Sequence, residues 1–477
     1  MSLISNAKWN AFSQFFKIGI QVVNLIYLAK IIPPAEYGIM AMAVVVINFG
    51  ILLRDLGTSA AIIQRKELND GMINSIFWLN VILGLGLAIV ISVSAPLISS
   101  IYQQPQLINV LMLLSITFPL SSSAATHLAL MERESKFKVI SMIEVSSSVI
   151  SVIVAVVLAN LGFGVYSLVC QAIVLNFLSA IQFWKASKWR PSIRNFIVFS
   201  DVREIFGFSA NLSLFNLINY FSRNADSFII GKFMSAAILG SYNLAYRIML
   251  FPLQSMTFVA SRSLYPILSK QQDNSDDIKK IYYGCLFFIL LVTMPLMSGI
   301  AIYSHPFVLL VFGPQWHITA DVLKWLAPTA IIQAVLSTTG SVFMAKARTD
   351  ILMRLGVIGM LLQVTSFIIG VHYSITTFAA LYLLANVLNF FPVMYCLFKL
   401  ISGGFLSFFY KIRPIILSTF LMILSLKTID VTFINTAEIN QLWILILLSL
   451  FGVFVYFFSM LIFSSDFRGY FKRRIYH

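Results

Sequence analysis

The sequence predicts an all-α integral membrane protein of about fourteen transmembrane helices, built as two pseudo-symmetric six-helix lobes plus two extra helices, with both termini cytoplasmic. Three observations predict it. Of the 477 residues, 59% are hydrophobic and only 11% charged, whereas a soluble domain carries about 25% charged residues. Apolar runs of about 20 residues, the length that crosses a bilayer, recur along the whole chain. Cations collect in alternate connections between those runs.

The first run, 11–31, follows MSLISNAKWNAFSQ, which lacks a compact apolar core before a small-residue cleavage site. It is therefore expected to be an uncleaved anchor. Runs 38–57, 72–97, 107–130, 139–160 and 164–184 complete a first set, the N-lobe (1–184). A basic cytoplasmic linker, KASKWRPSIRNFIVFSDVRE over 185–204, leads to the C-lobe (205–398). Its runs are 205–230, 238–261, 282–303, 320–343, 351–371 and 375–398. Residues 399–477 add runs 414–434 and 441–463 and a basic C-terminal tail.

With the N-terminus inside, 26 of the 33 lysines and arginines fall in cytoplasmic segments, and the outer connections hold only Lys30, Lys232 and Lys427. The net charge of +15 is then a topology signal and not the mark of an acidic partner. Basic–aromatic interleaving of the RNA-binding kind is absent, so nucleic acid is not an expected partner. Cys170, Cys285 and Cys396 each lie in an apolar run, without metal-ligand spacing. No phosphate-binding glycine loop, GxSxG elbow or carboxylate pair in a soluble cleft is present. An enzyme, a metal site and a cofactor are not expected.

An internal repeat organises the polar residues. AKIIPPAEYG (29–38) aligns with GKFMSAAILG (231–240) at an offset of 202, pairing Lys30 with Lys232, Ala35 with Ala237 and Gly38 with Gly240. The same offset sets Gln14, Lys17, Gln21 and Asn24 opposite Asn216, Asn219, Arg223 and Asp226. Steps of 3, 4 and 3 put each set on one helical face. SAPLISSIY (94–102) also resembles SHPFVLLVF (304–312). Repeats with an even number of spans share one orientation, related by an axis along the membrane normal.

Polar faces inside a bilayer line water or another polar face. Run two carries Asn48, Arg54 and Asp55, and run eight carries Asn243 and Arg247. A central hydrated cavity lined by Gln14, Lys17, Gln21, Asn24, Arg54, Asn216, Asn219, Arg223, Asn243 and Arg247 is the resulting expectation. Two readings stay open at Arg223 and Asp226: pairing with each other across one turn, or lining that cavity. Lys17 has no acid one turn away, which favours the cavity. Glu144 is isolated in its run; it is either a protonated carboxyl bonded to Ser147 or Ser148, or a proton carrier. Asp55, Glu144 and Asp226 are the candidate ion or proton carriers.

PPAEYGIMAMAVVVINFG, DLGTSAAIIQRKELND and FWLN, followed in the second half by SRNADSFIIGKFMSAAILGSYNLAYRIMLFPLQ and SLYPILS, resemble oligosaccharide flippases of the Wzx type. LGFGVYSLV and FGPQWHITADVLKWLAPTAIIQ are similar too, and the resemblance covers roughly residues 8–400. It places the chain in the polysaccharide branch of the multidrug/oligosaccharidyl-lipid/polysaccharide exporter superfamily. It implies a bacterial cytoplasmic membrane, two lobes opening alternately to each side, and an undecaprenyl-diphosphate-linked glycan as cargo. It implies membrane lipid, a polysaccharide polymerase and a chain-length regulator as further partners. By position, Lys17, Arg54, Arg223 and Arg247 are the cations it assigns to the diphosphate. The drive would be an ion or proton gradient. A multidrug–cation antiporter is the rival from the same superfamily, but the basic spans disfavour it. A membrane polysaccharide polymerase is the rival enzyme, and short outer loops with a visible repeat disfavour that.

Overall fold

The computed structural model of the chain describes residues 3–54, 62, 69–193, 220, 224–271, 274–433, 441–465 and 467–469, with backbone alone for 3–15, 253–263, 430–433 and 441. Among the described residues every regular element is helical. The chain divides into two compact units, Met1–Gly240 and Ser241–His477.

The first unit holds α1 (Leu3–Ile31), α2 (Pro34–Arg54), α3 (Asp70–Tyr102), α4 (Gln106–Ser115), α5 (Thr117–Arg133), α6 (Phe137–Asn160) and α7 (Val165–Ala186), followed by a helical stretch over 224–233. In it α6 packs on both α1 and α7, α3 on α4 and α5, and α5 on α7. Local chemistry sets the boundaries. Asn69 caps α3, its side-chain oxygen accepting the Met72 N–H at 2.6 Å. Run 107–130, expected as one span, lies within a single candidate span over Gln106–Arg133, in which α4 and α5 join at Ile116, itself in helical conformation. Pro119, which has no N–H for the carbonyl one turn back, accounts for the irregular turn there.

The second unit holds α8 (Ala236–Ser269, whose first turn belongs to the first unit), α9 (Ser275–Ile302), α10 (Ser304–Val311), α11 (His317–Ala345), α12 (Thr349–Gly370), α13 (Ile375–Leu400), α14 (Phe405–Phe433) and α15 (Gln441–Phe463). Asn274 and Ser374 cap α9 and α13 through their side-chain oxygens. Helix α9 packs on α11 and α14, α11 on α13, α12 on α13, and α14 on α15. The Tyr456 hydroxyl donates to the Leu291 carbonyl at 2.9 Å and that of Tyr303 to Leu426 at 3.1 Å, which fastens the two extra helices to α9. SAPLISSIY lies unbroken within α3, whereas its counterpart starts a separate helix, α10, after Tyr303.

Among the described residues, eleven helices are long and apolar enough to cross a membrane. Their outward faces carry large side chains that water would not tolerate, such as Val93 at 75%, Val453 at 66% and Phe454 at 66% exposure. Lipid is the solvent those faces fit. Of the remaining runs, 11–31 and 238–261 lie within helices α1 and α8, and most of 205–230 lies outside the described residues.

The offset-202 repeat has a direct structural expression. A Cβ on Gly38 would stand 1.8 Å from the Ala236 carbonyl oxygen, and one on Gly240 would stand 1.9 Å from that of Pro34. The offset maps Gly38 onto Gly240 and Pro34 onto Ala236. These are therefore one contact met from both copies, and it lies inside the first unit. Only glycine lets the two backbones approach so closely.

Candidate functional site

Helix α1 presents Lys17, Gln21, Asn24 and Tyr27 at steps of 4, 3 and 3, on one face. Helix α6 packs against α1, and Gln171 of α7 reaches Asn24. Lys17 Nζ donates to Glu144 Oε2 of α6 at 2.6 Å, an ion pair whose side chains are 24% and 37% exposed. Seven residues on, Asn24 Nδ2 donates to Gln171 Oε1 of α7 at 3.4 Å. At the end of α1, Asn160 Nδ2 donates to the Tyr27 hydroxyl at 3.1 Å. Ser146 donates to Gln182 Oε1 at 2.9 Å, and Gln182 Nε2 donates to Ser147 at 3.1 Å. Together these residues form a polar seam along α1, α6 and α7.

The ion pair stands about 21 Å along α1 from Ile31 and about 10 Å along α6 from Phe137. A lone charge at mid-bilayer costs roughly 2.5–3.5 kcal/mol on insertion scales. Pairing removes the net charge. Glu132, at the end of α5, lies within electrostatic reach of Glu144. The seam therefore offers one cation, two carboxylates and a row of amides and hydroxyls. It can exchange an anionic partner and hydrogen-bond hydroxyl-rich groups.

The other expected site residues are distributed differently. Gln21 is exposed on the seam face. Arg54 Nη1 donates to the Ser121 hydroxyl of α5. Asp226 is buried at 5% exposure and accepts the Ser227 N–H at 2.6 Å. Its neighbourhood is tied to α2 and α3: the Tyr220 hydroxyl donates to the Val45 carbonyl, and Lys232 Nζ to that of Ile101 at 2.9 Å. Asn243 is half-buried and Arg247 exposed, both in the second unit. Asp55, Asn216, Asn219 and Arg223 lie outside the described residues, as does the side chain of Gln14. Glu144 takes its hydrogen bond from Lys17 and not from its own helix. Sequence reasoning missed Gln171, Gln182, Ser146 and Asn160. Their signal was available, since amides inside apolar runs need partners, but nothing in one sequence says which helix supplies them.

A family model described as "Polysaccharide biosynthesis protein" matches residues 27–321. The chain is 28% identical over 434 residues to the lipopolysaccharide biosynthesis protein WzxC of Escherichia coli (strain K12), covering 90% of this chain and 87% of that protein. It is 27% identical over 422 residues to the teichuronic acid biosynthesis protein TuaB of Bacillus subtilis (strain 168), covering 87% and 86%. Its fold matches that of the lipid II flippase MurJ in an inward closed conformation, with a TM-score of 0.72 at 16% identity over 97% of this chain and 99% of that one. At that identity the match establishes a shared fold.

Proposed function

The chain belongs to the polysaccharide biosynthesis protein family, and from that premise we propose that it flips undecaprenyl-diphosphate-linked oligosaccharide units from the inner to the outer leaflet of the bacterial cytoplasmic membrane. The likeness to WzxC over most of both chains supports this reading, as does the fold shared with a lipid flippase. The observation that carries it is Lys17, an ammonium kept within α1 of a multi-pass membrane protein beside a row of amides.

The chemistry follows from the cargo. A diphosphate and a glycan cannot cross hydrocarbon unaided, because bare charges and unpaired hydroxyls are costly there. Lys17, with Arg54, Arg223 and Arg247, replaces the water around the phosphates. Gln14, Gln21, Asn24, Asn216, Asn219 and Asn243 bond sugar hydroxyls with little preference among sugars. The isoprenoid tail stays in lipid while fourteen spans in two six-helix lobes, with both termini cytoplasmic, open to one side and then the other. An ion or proton gradient supplies the drive through Asp55, Glu144 or Asp226, and a polymerase takes the delivered unit.

The test is a deletion strain complemented with the wild-type gene or with a Lys17→Met variant. Lipid-linked units are expected to accumulate on the inner leaflet in the deletion strain and the variant. Unpolymerised units on the outer face would overturn the proposal in favour of a polymerase.

A further inference from the structure

Lys17 is the cation that the proposed function gives to the cargo phosphate. In this structure its partner is a carboxylate of the same protein, Glu144, at 2.6 Å. Two features set this pair apart from one made only to hide charge in hydrocarbon. Both side chains are partly open, at 24% and 37% exposure, so neither partner is walled off from an incoming group. A second acid, Glu132 at the end of α5, lies within electrostatic reach of Glu144, so the pair sits beside a further carboxylate.

We infer that Glu144 is an internal stand-in for cargo: it occupies Lys17 while no head group is bound and is displaced by an incoming diphosphate. The inference rests on reading Lys17 as a cargo-binding residue. An ammonium has three rotatable donors on a flexible stem, so exchanging one oxygen anion for another needs only side-chain motion. The arrangement also sets a threshold. An anion must outcompete a carboxylate already at hydrogen-bonding distance, which a diphosphate can do and the singly charged phosphate of a bulk phospholipid cannot. Glu144 thereby becomes a specificity-determining residue, keeping ordinary anionic lipid off the ammonium.

The experiment uses the full chain in phosphatidylcholine nanodiscs with farnesyl diphosphate as the probe. Glu144→Gln is expected to bind roughly tenfold more tightly than wild type and to let phosphatidylglycerol compete where wild type does not. Lys17→Met is expected to lose binding. If Lys17→Met loses binding while Glu144→Gln matches wild type in affinity and in its indifference to phosphatidylglycerol, the stand-in role is refuted and the cargo site survives. If Lys17→Met binds like wild type, the cargo role of Lys17 falls and takes the inference with it. Glu144→Asp, which withdraws the carboxylate by one methylene, covers the case in which the glutamine variant does not insert. It is expected to bind more tightly than wild type by a smaller factor, and unchanged affinity overturns the inference.

Discussion

Each unit contains a polar contact between membrane helices, and the two are built on opposite terms. In the first unit, α1 meets α6 through a charged pair that stays partly open. In the second, α11 meets α13 through neutral groups: Gln333 Nε2 donates to the Tyr382 hydroxyl at 2.7 Å and to Asn386 Oδ1 at 3.4 Å. Asn386 is 1% exposed and also donates to the Tyr382 carbonyl at 2.8 Å. Phe367 and Phe378 stack beside it with centroids 4.9 Å apart. The neutral network is closed and packed, as a contact that holds helices together should be. The charged one is partly open, as the proposed exchange of its anion for cargo requires. Polarity within a span thus has two uses, and enclosure separates them.

Charge reversal should break this contrast most severely. Lys17→Glu sets a third carboxylate beside Glu144 and Glu132, and transport in a complementation assay is expected to fall to background. The swapped variant Lys17→Glu/Glu144→Lys restores an ion pair and is expected to restore insertion but not transport, because the cation has left the cargo face; recovered transport would make the pair structural. Asn386→Leu, in the closed network, is expected to cost about 1–3 kcal/mol of stability. Thermal unfolding in detergent should register that loss while transport per folded molecule stays at the wild-type level. A smaller effect is expected from Gln171→Leu, which removes the long hydrogen bond to Asn24: about 1 kcal/mol and a modest fall in transport. Tyr27→Phe removes an exposed hydrogen bond and should change stability by less than about 0.5 kcal/mol, with transport unchanged in the same assay.

The legible parts of the fold were those written in local pattern. Apolar runs located most of the long helices to within a few residues, because the hydrocarbon thickness fixes how long a spanning helix must be; the short α10 falls outside every run. Steps of 3 and 4 put Lys17, Gln21 and Asn24 on one face, and the structure keeps them there. Their neighbours were not legible: the lysine's nearest acid in space is 127 residues away in the chain.

By itself the sequence determined that this protein resides in a bilayer, that it is helical, and that it carries a repeat at an offset of 202 with Gly38 and Gly240 as equivalents. Those properties depend on composition, run length and spacing, all of which are local. The tertiary structure alone decided that Gly38 and Gly240 take part in one reciprocal backbone contact, and that the cation on α1 faces the carboxylate on α6. Helical periodicity specifies the direction in which a side chain points around its own axis. Which helix stands there depends on packing many helices at once, and a single span carries no record of that choice.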